Sequence, residues 1–239
     1  MAMMADSLLS SFPQGFRALV IGASGGIGAA FVELLAAQEH CGLVVSLHRQ
    51  SQPPLDFASE DIIAQAADVM KEHGPFHLII NATGVLHTAD FMPEKKLADL
   101  QYAQMQATFL VNTFGPALLL RHFAPLLDKQ RAVMAMLSAK VGSIEDNHLG
   151  GWYSYRASKA ALNMMIKTAA IELKRTHPDA VLFALHPGTV NTALSQPFRG
   201  ASIGRPVAQA ASEMLAVINS MQPAQSGEFY TYAGETLPW

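Results

Sequence analysis

The run Ile21-Gly22-Ala23-Ser24-Gly25-Gly26-Ile27-Gly28 constrains this chain more than any other stretch. Before it lies a compact apolar segment, Phe16–Ile21, that reads as a strand. After it, Gly28–Ala37 carries apolar residues at helical spacing. A strand that turns through glycines straight into a helix is the context of a phosphate-binding turn. Gly22 and Gly26 permit backbone angles and a close approach that a Cβ would block, and Gly28 lets the helix pack against the strand. The helix start then offers free N–H groups and a positive dipole end to a pyrophosphate. The same residues also fit an ordinary glycine-rich strand–turn–helix that binds nothing, so the rest of the chain has to separate the two readings.

Downstream, short β-rich runs alternate with longer helical patterns. Leu43–Leu47, Phe76–Asn81, Ala132–Ser138, Ala180–Leu185 and Glu228–Tyr232 read as strands. Asp61–Glu72, Leu97–Asn112, Ser154–Arg175 and Val207–Ser220 read as helices, with Gly115-Pro116 expected to kink or restart the third. Strands separated by helical crossovers mean βαβ units, and near-continuous apolar strands fit a parallel sheet covered on both faces. The expectation is an α/β protein: one Rossmann-like, doubly wound parallel sheet flanked by helices, spanning residues 15–239 as a single domain. Residues 1–14 are expected to form a loose tail.

Composition removes several function classes. A single cysteine, Cys41, excludes an internal disulfide and a cysteine zinc cluster. The net charge of −3 and scattered Lys and Arg give no nucleic-acid footprint. No stretch approaches the roughly 18 apolar residues needed to span a bilayer, and the N-terminus has no secretory or transit pattern, so a cytoplasmic protein is expected. Nine histidines are scattered, and His73-x3-His77 is split by Gly74-Pro75, so no metal site is expected. Only 15% of residues are charged, which suits a large core plus a subunit interface. The methionines, Met134, Met136, Met164, Met165 and Met214 among them, read as core fillers.

The glycine spacing, Gly-x3-Gly-x-Gly, resembles that of the short-chain dehydrogenase/reductase family, and four further motifs follow in the family's order. Asn81-Ala82-Thr83-Gly84 stands where the family has Asn-Asn-Ala-Gly, and Asn112 matches its helix asparagine. Tyr155-x3-Lys159 matches Tyr-x3-Lys, and Pro187-Gly188-Thr189-Val190-Asn191-Thr192 matches Pro-Gly-x-Val-x-Thr. Within the family, Gly150–Asn163 and Gly234–Trp239 look most like the sniffer, carbonyl reductase and C-factor-like group.

The resemblance implies an oxidoreductase that reduces an aldehyde or ketone, or oxidises the matching alcohol. Tyr155 and Lys159 are four apart and share a helix face; a nearby ammonium is expected to lower the tyrosine pKa from about 10 and suit it to acid/base work. By resemblance Lys159 also holds the nicotinamide ribose, and Asn112 joins a proton-relay water chain. The family's serine pattern Ser-Ser-x-x-Gly reads here Ser138-Ala139-Lys140-Val141-Gly142, with Ala139 in the catalytic slot. Ser138 is the candidate to replace it and Ser143 its rival. If neither does, a slow enzyme or a nonenzymatic dinucleotide sensor or signalling protein is the alternative.

The resemblance assigns dinucleotide contacts to Gly22, Ser24, Gly25, Gly26, Ile27 and Gly28, to Asp56, Phe57, Asn81, Ala82 and Gly84, to Tyr155 and Lys159, and to Pro187, Gly188, Val190 and Thr192. NAD-preferring folds carry an acid about 20 residues past the glycine loop. Here the second strand ends in His48-Arg49 without one, so NADP(H) is expected over NAD(H), with Arg49 reading the phosphate. Residues 193–206, rich in Gly, Ser and Pro, are a candidate substrate lid. His186 and His148 are candidates to touch substrate or to pack. Pairing through the 97–126 and 154–175 helices into a homodimer or homotetramer is the family's habit.

Overall fold

The structure, a computed structural model, describes residues 8–239. In chain order the elements are β1 (Phe16–Ile21), α1 (Gly26–Ala36), β2 (Cys41–Leu47), α2 (Glu60–Met70), β3 (Leu78–Asn81), α3 (Tyr102–Phe109), α4 (Gly115–Phe123), β4 (Ala132–Leu137), α5 (Tyr153–Leu173), β5 (Ala180–His186), α6 (Gly200–Ile203), α7 (Val207–Ser220) and β6 (Phe229–Thr231). The six strands form one parallel sheet in the order β2-β1-β3-β4-β5-β6.

Side-chain alternation along the strands builds two cores. Leu19, Ile21, Met134, Met136 and Leu182 face α2, α4 and α5, where Ile63, Phe123, Leu162 and Ile166 cover them. Ala18, Val20, Val133, Ala135 and Phe183 face α1 and α7, where Phe31, Leu35, Met214 and Ile218 close the second layer. The expected doubly wound architecture is the one observed. The chain reverses direction across the sheet between β1 and β3, and at such a switch point the loops after two neighbouring strands diverge and leave a crevice. The glycine turn after β1 and the Ala82-Thr83-Gly84 turn after β3 border it.

Two expectations need correction, and a third is met by an unusual turn. The first seven residues of the expected tail lie outside the described residues, but residues 8–14 are not loose. Leu9 and Phe12 are buried in the α1/α7 layer, Phe12 packs 5.4 Å from Phe16 between ring centres, and the Arg131 guanidinium lies over the Phe12 ring. At Gly115-Pro116, where a kink or restart is expected, α4 begins directly after α3 and a π turn. Pro116 cannot donate to the carbonyl four residues back. The chain accommodates this with a π turn over Leu110–Phe114, in which the Gly115 N–H reaches the Leu110 carbonyl five residues back. Finally, Met164 and Met165 stand on the exposed face of α5, whereas Met134, Met136 and Met214 are buried as expected.

Candidate active site

The glycine turn is shaped by backbone crowding. Gly22 sits at φ +83°, and a Cβ there would lie 2.9 Å from the Ala82 carbonyl carbon; a Cβ on Gly28 would lie 2.2 Å from the Gly22 oxygen. The start of α1 has neither a capping side chain nor an acid in its first turn, so its N–H groups are left for an external anion. A cavity of about 470 Å³ opens beside it, lined by Gly22, Ser24, Gly25, Arg49, Asp56, Phe57, Ala82 and Gly84. Arg49 is exposed at its rim, and Asp56 Oδ1 accepts the Ala58 N–H at 2.7 Å. Asn81 lies behind the wall instead of in it. Fully buried, its Oδ1 accepts the Thr83 N–H and hydroxyl at 3.2 and 2.8 Å and so sets the turn after β3. A pyrophosphate on the helix start, a basic group at the rim and an apolar slot suit an adenine dinucleotide.

A second cavity, of about 400 Å³, lies at the carboxyl ends of β4 and β5. Ile27, Ser138, Ala139, Tyr155, Pro187, Gly188, Val190 and Thr192 line it. Gly26 lies between Gly25 of the first and Ile27 of the second, and a Cβ on it would lie 3.1 Å from Thr192 Cγ2. Tyr155 and Lys159 lie one turn apart on α5, both buried, and the Lys159 ammonium donates to the Leu137 carbonyl at 3.1 Å. Burial pushes the Tyr155 phenol up to about 12 and the Lys159 ammonium down to about 8. The expected lowering of the tyrosine is therefore corrected: loss of water around the phenol raises it.

Asn112, on the π turn, is fully buried. Its Oδ1 accepts the Val85 N–H at 2.8 Å, and its Nδ2 donates to the Val85 carbonyl and to Ser158 Oγ at 2.8 and 3.1 Å. Its side chain thus ties the loop after β3 to the helix that carries Tyr155. Ser138 lines the cavity, but its hydroxyl donates to Asn163 Oδ1 at 2.6 Å. Ser143 is outside the cavity, its hydroxyl turned to the Trp239 oxygen at 3.3 Å. The Ala139 methyl packs in one cluster with Tyr155 and Leu86. His186 lines the cavity, with burial and the charges of Lys140 and Arg205 lowering it to about 4; His148 is exposed. No group of three His, Cys, Asp or Glu able to hold a metal occurs among the described residues.

The far wall of this cavity is Leu86, Val141, Trp152, Leu194 and Phe198; the last two fall in the expected lid segment, and the sequence reading missed the other three. The wall residues come from four separate segments, and only the Gly150-Gly151 pair ahead of Trp152 hinted at an unusual backbone there. Residues 193–206 form a closed loop. The Asn191 N–H donates to the Arg205 carbonyl, and the Arg205 N–H to that of Thr189. Leu194, Ser195, Phe198 and Ile203 on this loop all face the cavity.

Residues 17–202 match the family described as short chain dehydrogenase. The chain is 36% identical over 171 residues to the C-signal protein of Myxococcus xanthus, covering 70% of this chain and 94% of that one. It is 31% identical over 188 residues to 1-hydroxy-2-glutathionyl-2-methyl-3-butene dehydrogenase of Rhodococcus sp. (strain AD45), covering 79% and 80%. Among solved structures, NADPH-bound carbonyl reductase from chicken fatty liver superposes with a TM-score of 0.81 at 25% identity, covering 95% of this chain and 96% of that one.

Proposed function

This chain belongs to the short-chain dehydrogenase family, and from that premise we propose that it reduces an aldehyde or ketone, or oxidises the matching alcohol, with NADP(H) as redox partner. The observation that carries the reading is the placement of Tyr155 and Lys159. They sit one turn apart and buried on α5, with the phenol opening into a cavity that adjoins the glycine turn.

The residues around the two cavities fit a nicotinamide dinucleotide. Gly22–Gly28 would hold its pyrophosphate, Arg49 its 2′-phosphate, Asp56, Phe57, Ala82 and Gly84 its adenosine half, and Pro187, Gly188, Val190 and Thr192 its nicotinamide. When bound, it supplies or accepts the hydride at the substrate carbon. The work left to the chain is proton transfer and positioning. A phenol held near 12 is fully protonated at neutral pH and can give its proton to an oxygen that gains negative charge. Lys159 lies buried one turn further along α5 with its ammonium on the Leu137 carbonyl, and Asn112 keeps the loop after β3 and α5 in register. Support for NADP(H) comes from Arg49 and from the NADPH held by the chicken carbonyl reductase.

One observation favours a second reading. Ala139 offers no hydroxyl to a substrate carbonyl, which suits a dinucleotide-binding sensor or signalling protein, and the likeness to the C-signal protein points the same way. Consumption of NADPH and NADH against a panel of aldehydes, ketones and quinones separates the two. Turnover with NADPH well above NADH, abolished in Tyr155→Phe and shifted toward NADH in Arg49→Asp, is expected. Tight NADPH binding with no turnover of any carbonyl would favour the sensor.

A further inference from the structure

Trp152 occupies the left-handed region at φ 53° and ψ 43°. A bulky residue takes that conformation only where its surroundings enforce it, and such outliers concentrate at ligand clamps and active sites. The enforcing group is Glu94, almost fully buried on the loop after β3. Its backbone carbonyl accepts the Trp152 N–H, and its carboxylate accepts both the N–H (3.2 Å) and the hydroxyl of Ser154. The first turn of α5 is thereby tied to Glu94 on both sides of the strained residue.

The outcome is the direction of one ring. The Trp152 indole lies 6.1 Å from Tyr155 between ring centres, edge to face, and 5.0 Å from Phe198 in the same manner; His87 meets Phe198 at 5.8 Å. The aromatic wall thus joins the catalytic helix to the 193–206 loop. Leu86, Ala139 and Val141 pack in one cluster with it. Among the described lining residues, the one ammonium, Lys140, is engaged by Asp146 at 3.3 Å, and burial with the charges of Lys140 and Arg205 lowers His186. Beyond the residues assigned to the nicotinamide, the end of the cavity is bounded by the rings of Trp152 and Phe198 and the apolar side chains of Leu86, Ala139, Val141 and Leu194, and accepts a flat apolar body.

We propose that Trp152, held in place by Glu94 and closed against by Phe198, is a specificity-determining residue that selects carbonyl compounds bearing a flat, uncharged ring. This rests on the reductase reading above. Trp152 and Phe198 bind the ring, and Glu94 is a positioning residue.

The test uses the full-length protein with benzaldehyde, 4-carboxybenzaldehyde and propanal at saturating NADPH. Wild type is expected to favour benzaldehyde over both others through KM. Trp152→Ala should raise the benzaldehyde KM about tenfold and the propanal KM by much less, a loss on the scale of removing an apolar contact in a specificity pocket. Trp152→Phe should restore most of it. Glu94→Gln should raise the benzaldehyde KM while keeping kcat. Phe198→Ala, free of backbone strain, reports the same wall should Trp152→Ala fail to fold. Equal losses on benzaldehyde and propanal, or a preference for the carboxylated ring, would overturn the proposal. If wild type binds NADPH but turns over no aldehyde, the reductase reading fails while the clamp stays testable. Calorimetry with benzamide should then show binding that Trp152→Ala loses and Trp152→Phe keeps, and identical binding by all three would refute it.

Discussion

At position 139 a methyl group stands where the family resemblance places a serine hydroxyl, and the two nearby serines do not fill the gap. Ser138 spends its proton on Asn163, and Ser143 is turned to the Trp239 oxygen. The Ala139 methyl, by contrast, packs with Tyr155 and lines the cavity. An added hydroxyl at 139 therefore gains a donor beside the reacting oxygen. Removing such a donor costs about 10²–10³ in rate elsewhere, so Ala139→Ser is expected to raise kcat by about tenfold or more. Ser138→Ala should alter it by less than about tenfold. Steady-state rates on one carbonyl substrate decide this: a collapse in Ser138→Ala as deep as that of Tyr155→Phe would make Ser138 the donor after all. Tyr155 and Lys159 were legible because a four-residue spacing places two side chains together on any helix. The direction of the Ser138 hydroxyl was not, since it depends on Asn163, 25 residues away on α5. The sign of the Tyr155 shift was missed for a related reason: spacing reveals the neighbouring charge but not the depth of burial that raises the phenol.

The strands were legible as elements because each is an apolar run bounded by turn residues, and the sequence pattern gave α7 with its observed bounds, Val207–Ser220. The failures share a cause, which is that local signals were overruled by partners distant in sequence. The restart at Gly115-Pro116 was legible, but the π turn before it was not, since it rests on a longer hydrogen bond and on the anchoring of Asn112 and Thr113 to Val85 and Ser158. Residues 8–14 lack any periodic pattern and read as a tail, yet they complete the α1/α7 layer. Deleting a buried aromatic ring costs about 3–5 kcal/mol in well-packed sites. Phe12 also carries the Arg131 guanidinium at 5.1 Å from its ring centre. Phe12→Ala is accordingly expected to destabilise the protein by about 3 kcal/mol, read as a lowered urea midpoint with unchanged slope. A loose tail would leave the midpoint where it was.

At the scale of the molecule, the helices that carry the chemistry also expose apolar surface. No described helix is long and apolar enough to cross a membrane, so that surface needs another explanation. Buried positions of α5, Tyr155, Lys159, Leu162 and Ile166 among them, follow one face. On the other, Ala157, Ala161, Met164, Thr168 and Ile171 recur at helical spacing, and Met164 and Ile171 are 66% and 60% exposed. Tyr102 and Phe114 extend the apolar surface across α3 and the π turn at 77% and 53% exposure, beside a groove between α4 and α5 of about 580 Å³. Contiguous apolar patches of this kind mark association surfaces in proteins that remain dispersed, and pairing of two copies through α4 and α5 is the arrangement we propose. Light scattering should give at least a dimer, and Met164→Glu combined with Ile171→Glu should give a monomer, because two carboxylates per copy would meet across the twofold axis. A clean monomer of the unaltered protein at working concentration would reject the pairing. The doubly substituted monomer carries a further consequence. Its catalytic pair lies on the opposite face of the same helix, so cofactor binding and kcat should persist where the helix stays folded, while the thermal midpoint drops with the lost burial.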